Sequence, residues 1–233
     1  MKAGYIQLLS SAGLSGAALL IPNMLRDELG ANTMEIGLIT ASFNLALFLS
    51  SYVFGRASDV HGRKLYLRAG LSLTSIALFL LVFADSKTSL AVVRILIGLC
   101  AGIYPSALLS YVYETEGKIG KFTAYGSLGF GIGTFVAGML TIYYEIFLAS
   151  GLMLFVAYFI STRLVFVGER FHKVPLFPLA MVRHNFPVYV SIMFRHTGAN
   201  MIWVVYPLFL ADLGATPLFI GFVYGINAVS QYL

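Results

Sequence analysis

Charged side chains are rare in this sequence, yet residues 55–64, GRASDVHGRK, contain four of them and a histidine. Asp59 can accept hydrogen bonds from amides at a helix N-terminus and interacts favourably with the positive end of the helix dipole. Arg63 and Lys64 can form charge-assisted hydrogen bonds with a carboxylate on a neighbouring helix, and we predict Glu114 as the partner of Arg63. The two glycines permit close helix contact and a tight reversal with positive φ. The predicted hinge comprises Gly55, Asp59, Gly62, Arg63, Lys64 and Glu114.

A second group of polar residues lies inside long apolar segments. In FRHTGAN, Arg195 and His196 are about ten residues, roughly 15 Å, from a predicted helix end, and ionisable groups in such surroundings need a polar cavity or a partner. His196, Asn200 and Trp203 share one helical face. Either a binding site for a small molecule or a satisfied interhelical hydrogen-bond cluster explains them. The candidate central site comprises Gln7, Ser10, Ser11, Arg94, Arg195, His196, Asn200 and Trp203.

Small residues mark expected helix contacts near this site. Gly98 and Gly102 follow Arg94 at four-residue intervals, close to one helical stripe. Arg94 itself either extends to lipid headgroups or faces a cavity as a cation that organises substrate or proton movement. In residues 126–138, Gly131 and Gly138 share a face distinct from that of the other glycines, which predicts close neighbours on two sides. The predicted packing glycines are Gly98, Gly102, Gly126, Gly129, Gly133 and Gly138.

Motifs for bond-making catalysis are absent from the sequence. There is no H-E-x-x-H or G-x-S-x-G pattern, and the four histidines are not spaced for a metal site. The glycines of residues 126–138 follow no strand, which argues against phosphate binding. Cys100 is the single cysteine, so no internal disulfide forms. We therefore predict that the protein is not an enzyme and uses no cofactor or metal.

The elements that must position these residues are membrane helices. The chain is 59% hydrophobic and 11% charged, with a mean hydropathy of +0.86, and a soluble domain of this composition would expose apolar patches that monomers in water avoid. Continuous apolar runs of about twenty residues suit helices rather than barrel strands. These runs predict an all-α integral membrane protein with spans at 3–25, 36–54, 65–84, 90–113, 122–144, 146–166, 187–211 and 216–233.

The net charge of +5 follows membrane topology, so no nucleic-acid partner is expected. Basic residues collect on alternate connections, which predicts a cytoplasmic N-terminus by the positive-inside rule. One set of connections carries Arg26 and Lys87. The other carries Lys2, Arg56, Arg63, Lys64, Arg68, Lys118, Lys121, Arg163, Arg170, Lys173 and Arg183.

The sequence also contains a repeat. LGANTMEIG, which starts at Leu29, returns as LGATPLFIG at Leu213, and both copies follow a helix with a proline near its end. A parallel repeat of six spans is typical of transporters whose two halves move about a central site. We therefore expect a six-helix bundle at residues 1–167, a cytoplasmic linker at 168–186 and the start of a second bundle at 187–233, its eighth span incomplete in a truncated chain.

Residues Gly55, Asp59, Gly62, Arg63 and Lys64 give the pattern G-x-x-x-D-x-x-G-R-K, which resembles the G-x-x-x-D-R-x-G-R-R loop of the major facilitator superfamily. The resemblance departs at Val60, where the family more often has arginine. Arg94 with its following glycines is similar to the start of the family's fourth helix. Residues 126–138 look like the glycine-rich fifth helix of its exporters, with Thr134 in place of the antiporters' proline.

This resemblance covers essentially the whole chain and implies a function. It implies a monomeric secondary active transporter of the cell membrane that moves a small solute by alternating access, with residues 55–64 as a gating loop on the cytoplasmic side. Its partners would be the lipid bilayer and a small-molecule substrate. The resemblance leaves open the substrate, coupling to protons, and export or antiport as the mode. The sequence also leaves open a multi-span scaffold or receptor that does not transport.

Overall fold

The computed structural model describes residues 2–166 and 179–231, and this part of the chain is helical, with no strand. The predicted all-α fold is confirmed. A 3-10 turn at Leu80–Phe83 extends α4. The helices are α1 (Lys2–Leu19), α2 (Ile21–Asp27), α3 (Thr33–His61), α4 (Arg63–Phe79), α5 (Lys87–Ala101), α6 (Pro105–Thr115), α7 (Ile119–Leu140), α8 (Tyr143–Thr162), α9 (Leu179–His184), α10 (Phe186–Asp212) and α11 (Pro217–Ser230).

Within the described residues, six helical segments are long and apolar enough to cross a membrane, which confirms the first six predicted spans. They are Lys2–Asp27, Thr33–His61, Arg63–Phe83, Lys87–Thr115, Ile119–Leu140 and Tyr143–Thr162. The 27-residue α10 is long enough to cross but carries Arg195, His196 and Asn200 near its centre. The described part of α11 has 14 residues. The seventh and eighth spans therefore stay predictions.

Two predicted spans are interrupted in the structure. The first span divides at Leu20 into α1 and α2, with Pro22 in the first turn of α2. The fourth divides at residues 102–104 into α5 and α6, with Pro105 at the start of α6. Proline has no amide hydrogen to donate to the preceding turn, and it fits the first turn of a new helix. Hydropathy alone did not reveal these interruptions because both sides of each are apolar.

The predicted boundary between the fifth and sixth spans is wrong by several residues. α7 ends at Leu140, and Thr141, with a φ of 57°, turns the chain into α8. Tyr143 and Tyr144 therefore belong to the sixth span, in the same first turn as Glu145. The error arose because Glu145 is the nearest charged residue, whereas the chain reverses at uncharged residues before it.

The hinge segment, residues 55–64, was predicted as a loop and is mostly helical. α3 begins with a capping box, in which Asn32 and Glu35 exchange side-chain and backbone hydrogen bonds, and continues to His61. Gly62, with a φ of 99°, leads directly into α4 at Arg63. The polar residues thus extend a membrane helix beyond its apolar part, and a single residue reverses the chain.

The two copies of the repeat have the same conformation. Gly30 and Gly214 have positive φ angles of 64° and 82°. Two residues later in each copy, Asn32 and Thr216 cap the next helix by accepting a hydrogen bond from a backbone N–H three residues on. Of the predicted linker at 168–186, residues 168–178 lie outside the described residues, and α9 precedes α10.

The bundle has two ends, named here the Lys2 end and the Gly30 end after residues that lie there. In the described chain, a hydrophobic core at the Gly30 end combines the first six spans with Leu208 and Leu210 of α10 and Ile220 and Tyr224 of α11. A second core, at the Lys2 end, consists of residues of the first six spans. The buried residues of α10 start at Pro207. The two repeats therefore share a core at the Gly30 end and not, among the described residues, at the Lys2 end.

Candidate functional site

An ion-pair cluster ties three helices together at the Lys2 end. Arg63, at the start of α4, is 5% exposed. Its guanidinium pairs with the Asp59 carboxylate at 3.6 Å and with the Glu114 carboxylate from α6. We call Asp59, Arg63 and Glu114 the charge cluster. The structure thus brings together Arg63 and its predicted partner Glu114, and it places Asp59 on Arg63 rather than on a helix N-terminus.

The other hinge residues have separate places. A methyl group on Gly55 would lie 2.9 Å from Ser106 Oγ, so this glycine lets α3 approach α6 closely. Gly62 donates its amide hydrogen to the Ser58 carbonyl at 3.1 Å, and its positive φ is one that other residues rarely adopt. Lys64 is exposed, and no ion pair joins it to another described residue.

A central cavity of about 380 Å³ lies between the first six spans and the start of the second repeat. Its walls come from α1, α2, α3, α5 and α7 on one side and α10 and α11 on the other. Most of its lining is apolar or aromatic. The polar residues that line it are Ser11, Ser15, Thr40, Asn44, Arg94, Thr134 and Asn200, with Trp203 and Tyr224 beside them.

Arg94 is the charged residue of this lining. Its exposure is 5%, which rules out extension to the headgroups, and its guanidinium lies 4.1 Å above the Phe43 ring. A desolvated cation–π contact contributes about 2 kcal/mol, whereas burying an ion costs several kcal/mol. Phe43 therefore offsets only part of the cost of placing Arg94 there. Among the described residues, no hydrogen bond or ion pair satisfies the Arg94 Nε atom.

The polar residues of α10 separate into two groups. Asn200 and Trp203 line the central cavity, and Tyr224 donates a hydrogen bond to the Trp203 carbonyl at 2.7 Å. His196 lines an adjoining cavity of about 820 Å³ between α3 and α10, which shares Asn200 with the first. Arg195 lines neither cavity; it is exposed and lies 3.3 Å from His196 Nε2.

The predicted site residues of the first span also lie in different surroundings. Ser11 lines the central cavity, whereas Ser10 is buried and donates to the Gln7 carbonyl of its own helix. Gln7 Nε2 lies 3.4 Å from Ser11 Oγ, and Asn200 donates to the His196 carbonyl. These bonds stay within α1 or α10, but Ser10 also has a side-chain hydrogen bond with Tyr104, and Tyr224 of α11 bonds the Trp203 carbonyl. A binding site and an interhelical hydrogen-bond cluster therefore both stay predictions.

The predicted packing glycines lie where helices come closest. Methyl groups on Gly129 and Gly133 would collide with the Leu8 and Ala12 carbonyls of α1, and one on Gly126 would lie 2.9 Å from Gln7 Nε2. Gly98 and Gly102 lie against α3 in the same way.

The second face of α7 contacts α11 of the other repeat. A methyl group on Gly138 would lie 3.0 Å from Gly221 Cα, and one on Gly131 would lie 3.0 Å from the Gly225 carbonyl oxygen. We call Gly131, Gly138, Gly221 and Gly225 the glycine seam. It joins the two repeats almost backbone to backbone.

Part of the cavity wall lies outside the predicted site residues. Thr40 and Asn44 of α3 line both cavities, and Phe43 holds Arg94. The signal was present, because Thr40 and Asn44 are polar residues four positions apart inside an apolar span and so share one helical face. Uncharged polar residues are common enough in membrane helices that this spacing did not stand out.

These features define a multi-pass helical membrane protein with a cavity between its first six spans and helices α10 and α11. The family model of the Major Facilitator Superfamily matches residues 4–186. The chain belongs to this superfamily.

Two curated relatives show how far the likeness extends. An uncharacterized MFS-type transporter of Methanocaldococcus jannaschii is 31% identical over 126 residues, which is 52% of this chain and 33% of the relative. The hexuronate transporter of Bacillus subtilis is 33% identical over 100 residues, which is 43% of this chain and 23% of the relative. The chain thus spans a third or less of the length of these relatives.

Proposed function

We propose that the protein is a secondary active transporter that moves a small solute across the cell membrane by alternating access. The observation that carries this proposal is the position of the central cavity. Its lining combines Thr40 and Arg94 of the first repeat with Asn200 and Trp203 of the second. A site shared by two bundles changes its exposure when one bundle pivots against the other.

The contacts between the repeats support a cavity closed at the Gly30 end. Arg26 of α2 forms an ion pair with Asp212 of α10 at 2.8 Å. Asn23 Nδ2 lies 3.5 Å from the Pro207 carbonyl, and these two residues are 184 positions apart, as are the copies of the repeat. Equivalent positions that meet lie near the axis that relates the two bundles. The shared core lies at this end as well.

Orientation and assembly complete the proposal. The basic residues predict that the Lys2 end faces the cytoplasm, so the described arrangement corresponds to a cavity closed to the outside. A monomer as the working unit is part of the proposal. The charge cluster then lies at the cytoplasmic end, where it holds the ends of α3, α4 and α6 in register as the bundles close.

Exchange for protons is part of the proposal. His196 lines the adjoining cavity, and an imidazole ring can bind and release a proton at its ring nitrogens. Export or antiport would couple solute release to protonation of this histidine, which Arg195 contacts. An imposed pH gradient across proteoliposomes should then drive solute movement, and His196→Gln should retain solute exchange without the response to the gradient.

Alternating access is tested by fixing the Gly30 end. In a Cys100→Ser background, Arg26→Cys and Asp212→Cys place two thiols across the repeats, and a short bis-methanethiosulfonate reagent joins them. The full-length protein in proteoliposomes is assayed with D-glucuronate first, because one relative is a hexuronate transporter. Cross-linking should abolish transport, and a reductant should restore it.

The two single-cysteine variants, treated identically, are the controls and should keep their transport rates. Full transport by protein whose cross-link is complete would contradict the proposal, because α2 and α10 would then not need to separate at the Gly30 end.

A further inference from the structure

Arg94 lies in the central cavity as a cation that has no anionic partner among the described residues. It is 5% exposed, it lines the cavity, and in the described chain it makes no ion pair or hydrogen bond. Arginine stays protonated in proteins, so neutralisation by proton loss is not open to it. Its positive charge therefore faces the space that a solute would occupy.

The described carboxylates are elsewhere. They belong to residues at the ends of the spans or in the connecting turns, and those near the repeat interface are already paired. Glu35, in the first turn of α3, is ion-paired with Lys87 at 2.9 Å. Asp212, at the end of α10, is paired with Arg26. An anion for Arg94 is thus not provided by these side chains.

The rest of the cavity fits a polar organic molecule. Thr40 and Asn44 offer a hydroxyl and an amide from α3, and Asn200 offers an amide from α10. Amides and hydroxyls both donate and accept hydrogen bonds, so they suit the hydroxyl groups of a solute. A volume of about 380 Å³ is within the range of small-molecule sites. Trp203 supplies an aromatic wall.

We propose that the transported solute is a small hydroxylated organic carboxylate, and that Arg94 binds its carboxylate group. The planar guanidinium presents paired N–H donors that match the two oxygens of a carboxylate. Thr40, Asn44 and Asn200 bind the hydroxyl groups, so one solute contacts both repeats. This inference rests on the proposed transport function and names the substrate class of the same cavity.

Binding can be measured without transport because Trp203, the single tryptophan of residues 1–233, lines this cavity. The full-length protein in detergent, with any tryptophan outside these residues replaced by phenylalanine, is titrated with D-glucuronate, D-gluconate, L-lactate and succinate while the fluorescence of Trp203 is recorded. D-glucose and D-sorbitol are the neutral counterparts of the first two. At least one hydroxylated carboxylate should give a saturable change, and its neutral counterpart should give none at the same concentration.

Substitutions assign the response to Arg94. Arg94→Gln should weaken carboxylate binding on the order of 30-fold or more, since it removes one partner of a buried charge pair. Arg94→Lys keeps the positive charge but lacks the paired N–H donors of the guanidinium. Its affinity for the carboxylate should therefore lie between those of the wild type and Arg94→Gln. The exposed Arg163→Gln, which makes the same charge change at the Lys2 end, should bind like the wild type. The melting temperature of Arg94→Gln without solute should equal or exceed that of the wild type, because an uncompensated buried charge is gone.

Several results would overturn the proposal. They are equal binding of D-glucuronate and D-glucose, unchanged carboxylate binding by Arg94→Gln, a larger response to inorganic phosphate than to any carboxylate, or no response to all four carboxylates. Proteoliposome transport separates the two proposals. If a neutral solute is transported and Arg94→Gln transports it at an unchanged rate, the proposed carboxylate substrate is refuted and the proposed transport function stands. If a carboxylate binds through Arg94 but no solute is moved, the proposed transport function is refuted instead.

Discussion

Removal of the Glu114 carboxylate should destabilise the protein far more than removal of an exposed carboxylate. Glu114→Gln removes an ion pair from Arg63, whose side chain is 6% exposed, and leaves the weaker contact with Asp59 at 3.6 Å. Breaking a fully buried pair costs about 3–5 kcal/mol. Because the Glu114 side chain is 27% exposed and water screens part of the interaction, we expect a loss of about 1–3 kcal/mol in the free energy of unfolding.

The assay is equilibrium unfolding in mixed detergent micelles, with increasing SDS fraction and helical circular dichroism as the signal. Asp85→Asn is the matched control, because Asp85 is exposed at the Gly30 end and undergoes the same change of charge. Surface substitutions of this kind change stability by about 0.5 kcal/mol or less. A third variant, Glu114→Gln with Arg63→Met, should recover part of the loss, since it also removes the buried cation that has lost the Glu114 carboxylate. Equal stabilities of Glu114→Gln and Asp85→Asn would refute the reasoning.

Three further predictions concern the hinge and the helix contacts. Asp59→Asn should slow transport, whereas membrane insertion, measured by the yield of folded protein, should stay unchanged. An unaltered transport rate would show that the hinge has no role in transport. Gly133→Ala should lower the melting temperature by the equivalent of about 1–3 kcal/mol through its collision with the Ala12 carbonyl, whereas Gly120→Ala on the same helix meets nothing within 4 Å and should be neutral or stabilising. Gly62→Ala should cost about 1–2 kcal/mol, because the φ of 99° is strained for a residue with a Cβ atom; a melting temperature equal to that of the wild type would show that the turn tolerates another geometry.

Much of the fold was predictable because lipid imposes simple rules on the sequence. A span must be apolar over about twenty residues, so the first six were found from hydropathy alone. The pairing of Arg63 with Glu114 followed from the same reasoning, since both residues lie at the same end of the membrane and a buried cation needs an anion.

The interruptions of the spans, the conformation of the hinge and part of the cavity wall could not be predicted from the sequence. The breaks at Leu20 and at residues 102–104 coincide with Pro22 and Pro105, but a proline can also lie inside a continuous helix, as Pro207 does in α10, so proline alone does not predict them. The residues of α3 up to His61 are polar enough for either a helix or a loop. The contacts that their side chains make at the end of α3 decide in favour of the helix. The separation of His196 from Arg195 depends on the rotation of α10, which is set by packing against α2 and α11.

The glycine seam has a consequence for the proposed movement of the two bundles. Where Leu or Phe side chains interlock, a change of tilt forces each of them into a new rotamer, and the barrier grows with every residue involved. Gly131, Gly138, Gly221 and Gly225 have no rotamers to change. We expect the bundles to change their relative tilt along the seam without a large side-chain barrier. The rate of switching is then set by the contacts at the Lys2 end and the Gly30 end.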